Sequence, residues 1–111
     1  AVGKGSLLSN TTGLNNTALG SNSLNSNTVG TENTGIGTQS LNSNTTGVGN
    51  VAIGKQALAS ISTGSYNTAV GGYAGYGFSS SASKKNTIVG YKAGYLLNSG
   101  NNNILLGYKA G

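Results

Sequence analysis

Asn50-Val-Ala-Ile-Gly54-Lys-Gln-Ala-Leu-Ala59 and Asn67-Thr-Ala-Val-Gly71-Gly-Tyr-Ala-Gly-Tyr76 are two copies of one pattern, and aligning them decides the fold. Working outward, Asn recurs at Asn16, Asn33, Asn50, Asn67, Asn86 and Asn103, with spacings of 17, 17, 17, 19 and 17. Four residues after each comes a glycine (Gly20, Gly37, Gly54, Gly71, Gly90 and Gly107), and Gly3 belongs to the same column. The residue before that glycine is always aliphatic: Val2, Leu19, Ile36, Ile53, Val70, Val89 and Leu106. Three residues after it the side chain is always small: Ser6, Ser23, Ser40, Ala57, Ala74, Ala93 and Ala110. Columns filled without exception make this a repeat protein.

A unit of 17 residues is too short for a helical hairpin, and a glycine at a fixed place in every unit disfavours helix. The expectation is an all-β parallel solenoid, one region over 1–111, with coils starting near 1, 16, 33, 50, 67, 86 and 103. Each coil reads as two short strands, one around Asn-Thr-Ala-Val-Gly and one in segments such as Lys55-Gln-Ala-Leu-Ala59. Segments ending at Gly13, Gly30 and Gly47 supply the return turn, with glycine available for positive φ. Stacked at about 4.8 Å per coil, the chain forms a rod roughly 30 Å tall. Its first and last residues fall partway through a unit, which is the pattern expected of a piece of a longer rod.

The columns also assign interior roles. The aliphatic column Val2 to Leu106 reads as a buried apolar ladder, and the Ser/Ala column as the small side of a thin coil. The six asparagines read as an amide ladder bonded to the coils above and below, beside a β-branched column of Thr17, Thr34, Thr68 and Thr87. The opposite face of the first strand (Ala1, Ala18, Gly35, Ala52, Ala69, Ile88, Leu105) is small or apolar too. A strand that is apolar on both faces needs covering on both, and a homotrimer around it is the simplest cover.

The wording of the repeats resembles two related groups. Ala52-Ile53-Gly54 is similar to the core of the head repeats of trimeric autotransporter adhesins. Gly90-Tyr-Lys-Ala-Gly94 and Gly107-Tyr-Lys-Ala-Gly111 resemble repeats of bacteriophage and large-virus tail-fibre proteins. The resemblance implies a left-handed β-roll with three chains side by side, in a fibre on a virion or a cell surface. The 17-residue period departs from the shorter unit of the adhesin heads.

Composition narrows the chemistry. Asn, Ser, Thr and Gly make up 63 of 111 residues, and His, Cys, Asp, Arg, Met, Pro and Trp are missing. Glu32 is the single carboxylate side chain. Paired-carboxylate catalysis, a Ser–His–Asp triad, a cysteine nucleophile and the usual protein zinc sites all lack their residues, so no enzyme, metal or cofactor is expected. The charge of +5 reflects missing acids more than abundant bases. Without Arg and with lysines spread along the chain, nucleic acid is not an expected partner. No apolar run approaches the roughly 20 residues of a membrane span.

Three motifs invite functional readings. Gly49 to Lys55 has the spacing of a phosphate-binding loop, but Gln56 replaces the required Ser or Thr and the repeat explains both glycines. Asn10, Asn15 and Asn44 lie in glycosylation sequons, which chance supplies in so Asn- and Thr-rich a chain. The later coils exchange Leu7, Leu24, Leu41 and Leu58 for Gly75, Gly94 and Gly111, and carry the aromatics Tyr73, Tyr76, Phe78, Tyr91, Tyr95 and Tyr108. With Lys92 and Lys109 the tyrosines form a candidate binding stripe for a glycan or protein receptor. The alternative is that these rings fill the space left by the missing leucines or pack on a neighbouring chain. A two-residue expansion within Gly77–Lys85 is a candidate binding loop, with a tolerated loop of no role as the equal alternative.

Overall fold

The computed structural model describes residues 1–79 and 83–111. Among the described residues six three-residue strands, one in each coil from Asn16 onward, form a single parallel sheet: β1 (Thr17–Leu19), β2 (Thr34–Ile36), β3 (Val51–Ile53), β4 (Thr68–Val70), β5 (Thr87–Val89) and β6 (Ile104–Leu106). Each strand pairs with the same position of the next coil, as in Ala18↔Gly35 and Ala52↔Ala69. Across β4–β5 the register advances by 19, Thr68↔Thr87, so the expansion is absorbed outside the sheet. Its residues 80–82 lie outside the described residues. The solenoid measures 34 × 23 × 17 Å, and its long dimension fits the stacked coils.

The second expected strand is not a strand. Lys55 to Ala59 and its equivalents are runs of turns in which alternate residues are left-handed: φ is +55° at Gln56 and +49° at Leu58. The backbone still joins neighbouring coils there, Gln56 N–H donating to Thr38 C=O at 2.9 Å and Leu58 N–H to Ala74 C=O at 2.9 Å. Coil-to-coil bonding therefore survives without an extended backbone.

The aliphatic column is also placed differently from expectation. Within each strand the central residue (Ala18, Gly35, Ala52, Ala69 or Ile88) points inward and is buried, while the flanking residues point outward. Leu19 is 48% exposed, Ile53 38% and Val70 36%, and Val2 and Leu106 lie in the same outward row. Ile36 and Val89 are half-buried. A coil of 17 residues is too thin to take a branched side chain from every strand flank, so the small residues go inside.

The interior is filled from the turn side. Leu24, Leu41 and Leu58 hold left-handed backbones and are fully buried opposite Ala18, Gly35 and Ala52. In later coils the trade reverses. Ile88 and Leu105 occupy the strand centre, and the turn position becomes Gly94 or Gly111. In the coil of Ala69 the turn position is Gly75, and Phe78, 1% exposed, supplies the missing volume. A Cβ on Gly75 would stand 2.7 Å from Leu58 Cδ2 and 3.0 Å from Ile88 Cδ1, so the space is already taken.

Polar ladders run beside this core. Asn33 Oδ1 accepts from Asn50 N–H at 3.0 Å and Asn50 Nδ2 at 3.2 Å, and Asn50 Nδ2 also donates to Gly64 C=O at 2.8 Å. The same set repeats from Asn16 to Asn103. A second ladder joins Asn10, Asn27 and Asn44 through Nδ2–Oδ1 bonds of 2.8 Å. It stops where Ile61 takes the next place in the column, leaving Asn44 Oδ1 buried without a partner. Gly13, Gly30 and Gly47 lie between the two ladders. Contrary to expectation they do not have positive φ; a Cβ on Gly30 would meet Asn27 Oδ1 at 2.4 Å and Gly47 O at 2.6 Å. These glycines serve close approach.

Candidate functional site

The tyrosines and lysines of the later coils gather on the turn side, placed by three adjacent columns. Tyr73, Lys92 and Lys109 occupy the left-handed column that holds Asn22, Gln39 and Gln56 in earlier coils, with φ between +52° and +59°. Tyr91 and Tyr108 follow Lys55 and Gly72 in the column just before it, and Tyr76 and Tyr95 stand three residues beyond it. A left-handed residue between two others fans successive side chains out of the turn, so the three columns converge on one patch.

Tyrosines that share a column in successive coils stack on one another. Tyr76 and Tyr95 stack with ring centroids 5.2 Å apart and planes 12° apart, and Tyr91 and Tyr108 stack at 6.0 Å and 10°. Tyr73 joins them, meeting Tyr76, Tyr91 and Tyr95 edge-on at 5.9–6.1 Å. The Lys92 ammonium lies 5.5 Å from the centroid of Tyr91, 5.3 Å from Tyr95 and 5.9 Å from Tyr73. Lys109 lies 5.2 Å from Tyr108, and Lys55 lies 5.7 Å from Tyr73. Lys55 was missed as a member because the one aromatic of its own coil, Tyr66, lies in a distant column; Tyr73 is contributed by the next coil.

Tyr108 is 70% and Tyr91 47% exposed, whereas Tyr73, Tyr76, Tyr95 and Lys92 are half-buried. Lys92, Tyr95, Leu96, Lys109 and Gly111 line an open cleft of about 430 Å³ beside the patch. Of the aromatics, Phe78 fills core space left by the missing leucines, while these five tyrosines remain on the surface. Tyr66 is exposed elsewhere, its ring over Gly49, where a Cβ would come within 2.8 Å of Tyr66 Cδ1.

The other motifs resolve into architecture. Gly49 and Gly54 sit in two columns of positive φ, and no helix follows Lys55, so the phosphate-loop spacing is a by-product of the repeat. Asn44 is fully buried in an amide ladder, and Asn10 bonds Asn27 and Gly13, so these two sequons are structural positions. Among the described residues no helix is long and apolar enough to cross a membrane. Comparisons with protein-family models, with curated proteins and with solved structures return no match.

Proposed function

We propose that the chain is a structural module of a virion tail fibre or surface adhesin, a rigid shaft or head for host attachment that works on the outside of a virion or cell. The observation that carries this reading is the outer face of the sheet. Two columns run its length, the exposed aliphatic row from Val2 to Leu106 and the row Thr17, Thr34, Val51, Thr68, Thr87 and Ile104. A continuous apolar stripe on a soluble rod is a surface for association, and an identical stripe on another copy matches its spacing coil for coil. The module then works as a homotrimer whose three rods present identical weak sites at fixed spacing, so that avidity replaces single-site affinity.

Negative-stain electron microscopy of the purified chain tests this. Discrete rods of one length, several chains thick, support the fibre module; open-ended strings of coils would support a self-assembling extracellular filament instead. A second reading has one observation in its favour, since the outward Thr column runs in register along a parallel sheet, an array suited to ordering water as an ice-binding surface does. Val51 and Ile104 interrupt that column. Thermal hysteresis in dilute solution would establish that reading, and its absence would remove it.

A further inference from the structure

The Tyr/Lys patch is a built surface with a definite chemical bias, and we propose that it binds an acidic polysaccharide. The proposal deepens the host-attachment reading by naming a ligand class, and its test does not depend on the oligomeric state. Every polar group the patch offers at its rim can donate: three ammonium groups from Lys55, Lys92 and Lys109, and the phenol hydroxyls of five tyrosines. No acidic side chain balances them. The chain's single acidic side chain, Glu32, belongs to a different column, with Asn15 and Tyr66, and no ion pair joins it to the patch among the described residues. A donor-rich, uncompensated surface selects an acceptor-rich, negatively charged partner.

The aromatic part narrows the class. The Lys92 ammonium lies 5.3–5.9 Å from three ring centroids, a surrounding that restricts it before a ligand arrives and lowers the entropy cost of binding. Beside it Tyr91 and Tyr108 stack face to face across two coils, leaving the outer face of Tyr108 and the edges of both rings open. The open apolar face of Tyr108, with phenol hydroxyls beside it, matches a sugar ring, which has apolar C–H faces and hydroxyl edges. Single-stranded nucleic acid also uses aromatic faces and cations, but the tyrosines here spend one face of each ring on one another, which leaves no slots between them for successive bases.

The repeat supplies clean test variants, because each column already carries a neutral or non-aromatic residue in another coil. Lys92→Gln copies Gln39 and Gln56, Tyr91→Thr copies Thr38, and Tyr95→Asn copies Asn42. Circular dichroism verifies that each variant keeps the wild-type sheet. Binding is measured by isothermal titration against dextran sulfate, polygalacturonate, neutral dextran, polyglutamate and oligo-dT. The expected result is binding to dextran sulfate or polygalacturonate, and weaker or no binding to neutral dextran and polyglutamate. Lys92→Gln and Tyr91→Thr should each weaken it about tenfold, and Lys84→Gln, outside the patch, should leave it unchanged. The proposal is overturned by equal binding to polyglutamate, by tighter binding to oligo-dT, by an equal effect of Lys84→Gln, or by no binding to either acidic polysaccharide. Should Tyr91→Thr lose the sheet, Tyr108→Ser, at the most exposed ring and copying Ser21, replaces it in the same comparison.

Discussion

Replacing Asn50 by Ala probes the feature that holds so polar a chain together. Asn50 is fully buried at the middle of the longer amide ladder, so fraying of an end coil cannot absorb the loss. Its Oδ1 accepts from Asn67 N–H at 3.0 Å and Asn67 Nδ2 at 3.1 Å. Its Nδ2 donates to Asn33 Oδ1 at 3.2 Å and Gly64 C=O at 2.8 Å. Two of these four partners keep other bonds in Asn50→Ala. Asn33 Oδ1 still accepts the residue-50 backbone N–H at 3.0 Å, and Asn67 Nδ2 still reaches Ser83 C=O at 2.9 Å. The Asn67 N–H and the Gly64 C=O lose their bonds to Asn50. Orphaning a buried polar group costs about 1–3 kcal/mol, so two give about 2–6 kcal/mol, with the low end reached if water enters the space. Urea unfolding followed by far-ultraviolet circular dichroism reads this as a lowered midpoint with little change in slope. A loss below about 1 kcal/mol would refute the ladder as a principal source of stability.

Three further predictions use the same assay or its companions. Asn44→Ala should cost only about 1 kcal/mol, because it removes one orphan, Asn44 Oδ1, as it creates another at Asn27 Oδ1, and Gly47 C=O keeps its bond from Asn33. A cost equal to that of Asn50→Ala would show that bond counting misses what matters. Gly54→Ala should cost at least about 3 kcal/mol, since φ there is +132° and the new Cβ would lie 2.6 Å from the Gly71 carbonyl carbon and oxygen. A melting temperature near that of the unmodified chain would contradict it. Ile53→Asp places its charge on the outer face, so the variant should keep its sheet by circular dichroism yet elute as a monomer in size-exclusion chromatography with light scattering. Retained association would show that copies do not meet there.

What the sequence made legible was whatever stacking repeats verbatim. Each coil sets the same residue on the same residue, so the Asn column, the Gly column and the Ser/Ala column could be counted directly, and all three occupy the interior or the coil contacts. The turn run Lys55–Ala59 was not legible, because Gln56 and Leu58 favour right-handed or extended backbone and give no turn signal of their own. The signal lay across coils: Gly5 shares Gln56's column and Gly75, Gly94 and Gly111 share Leu58's, which marks both as positions of positive φ. The second amide ladder was hidden in the same way, its Asn10, Asn27 and Asn44 each followed three residues later by a glycine. The aliphatic column was misplaced for a different reason. Ranking the larger side chain as the inner one holds for thick cores, and here the inner strand positions face buried leucines across a single thin coil.

Of the candidate site, the in-register pairs Tyr76–Tyr95 and Tyr91–Tyr108 followed from the columns alone. The gathering of Lys55, Tyr73 and Lys92 did not, because it depends on how far left-handed residues swing side chains between neighbouring coils. Column membership gives vertical order; it does not give the angle between columns.

Sedimentation equilibrium at micromolar concentration tests most directly the claim that the outer sheet face is where copies of the chain meet. The account predicts a species of three times the 10.9 kDa chain mass, reduced to one chain by Ile53→Asp. A 10.9 kDa monomer with an intact parallel-sheet spectrum would contradict it.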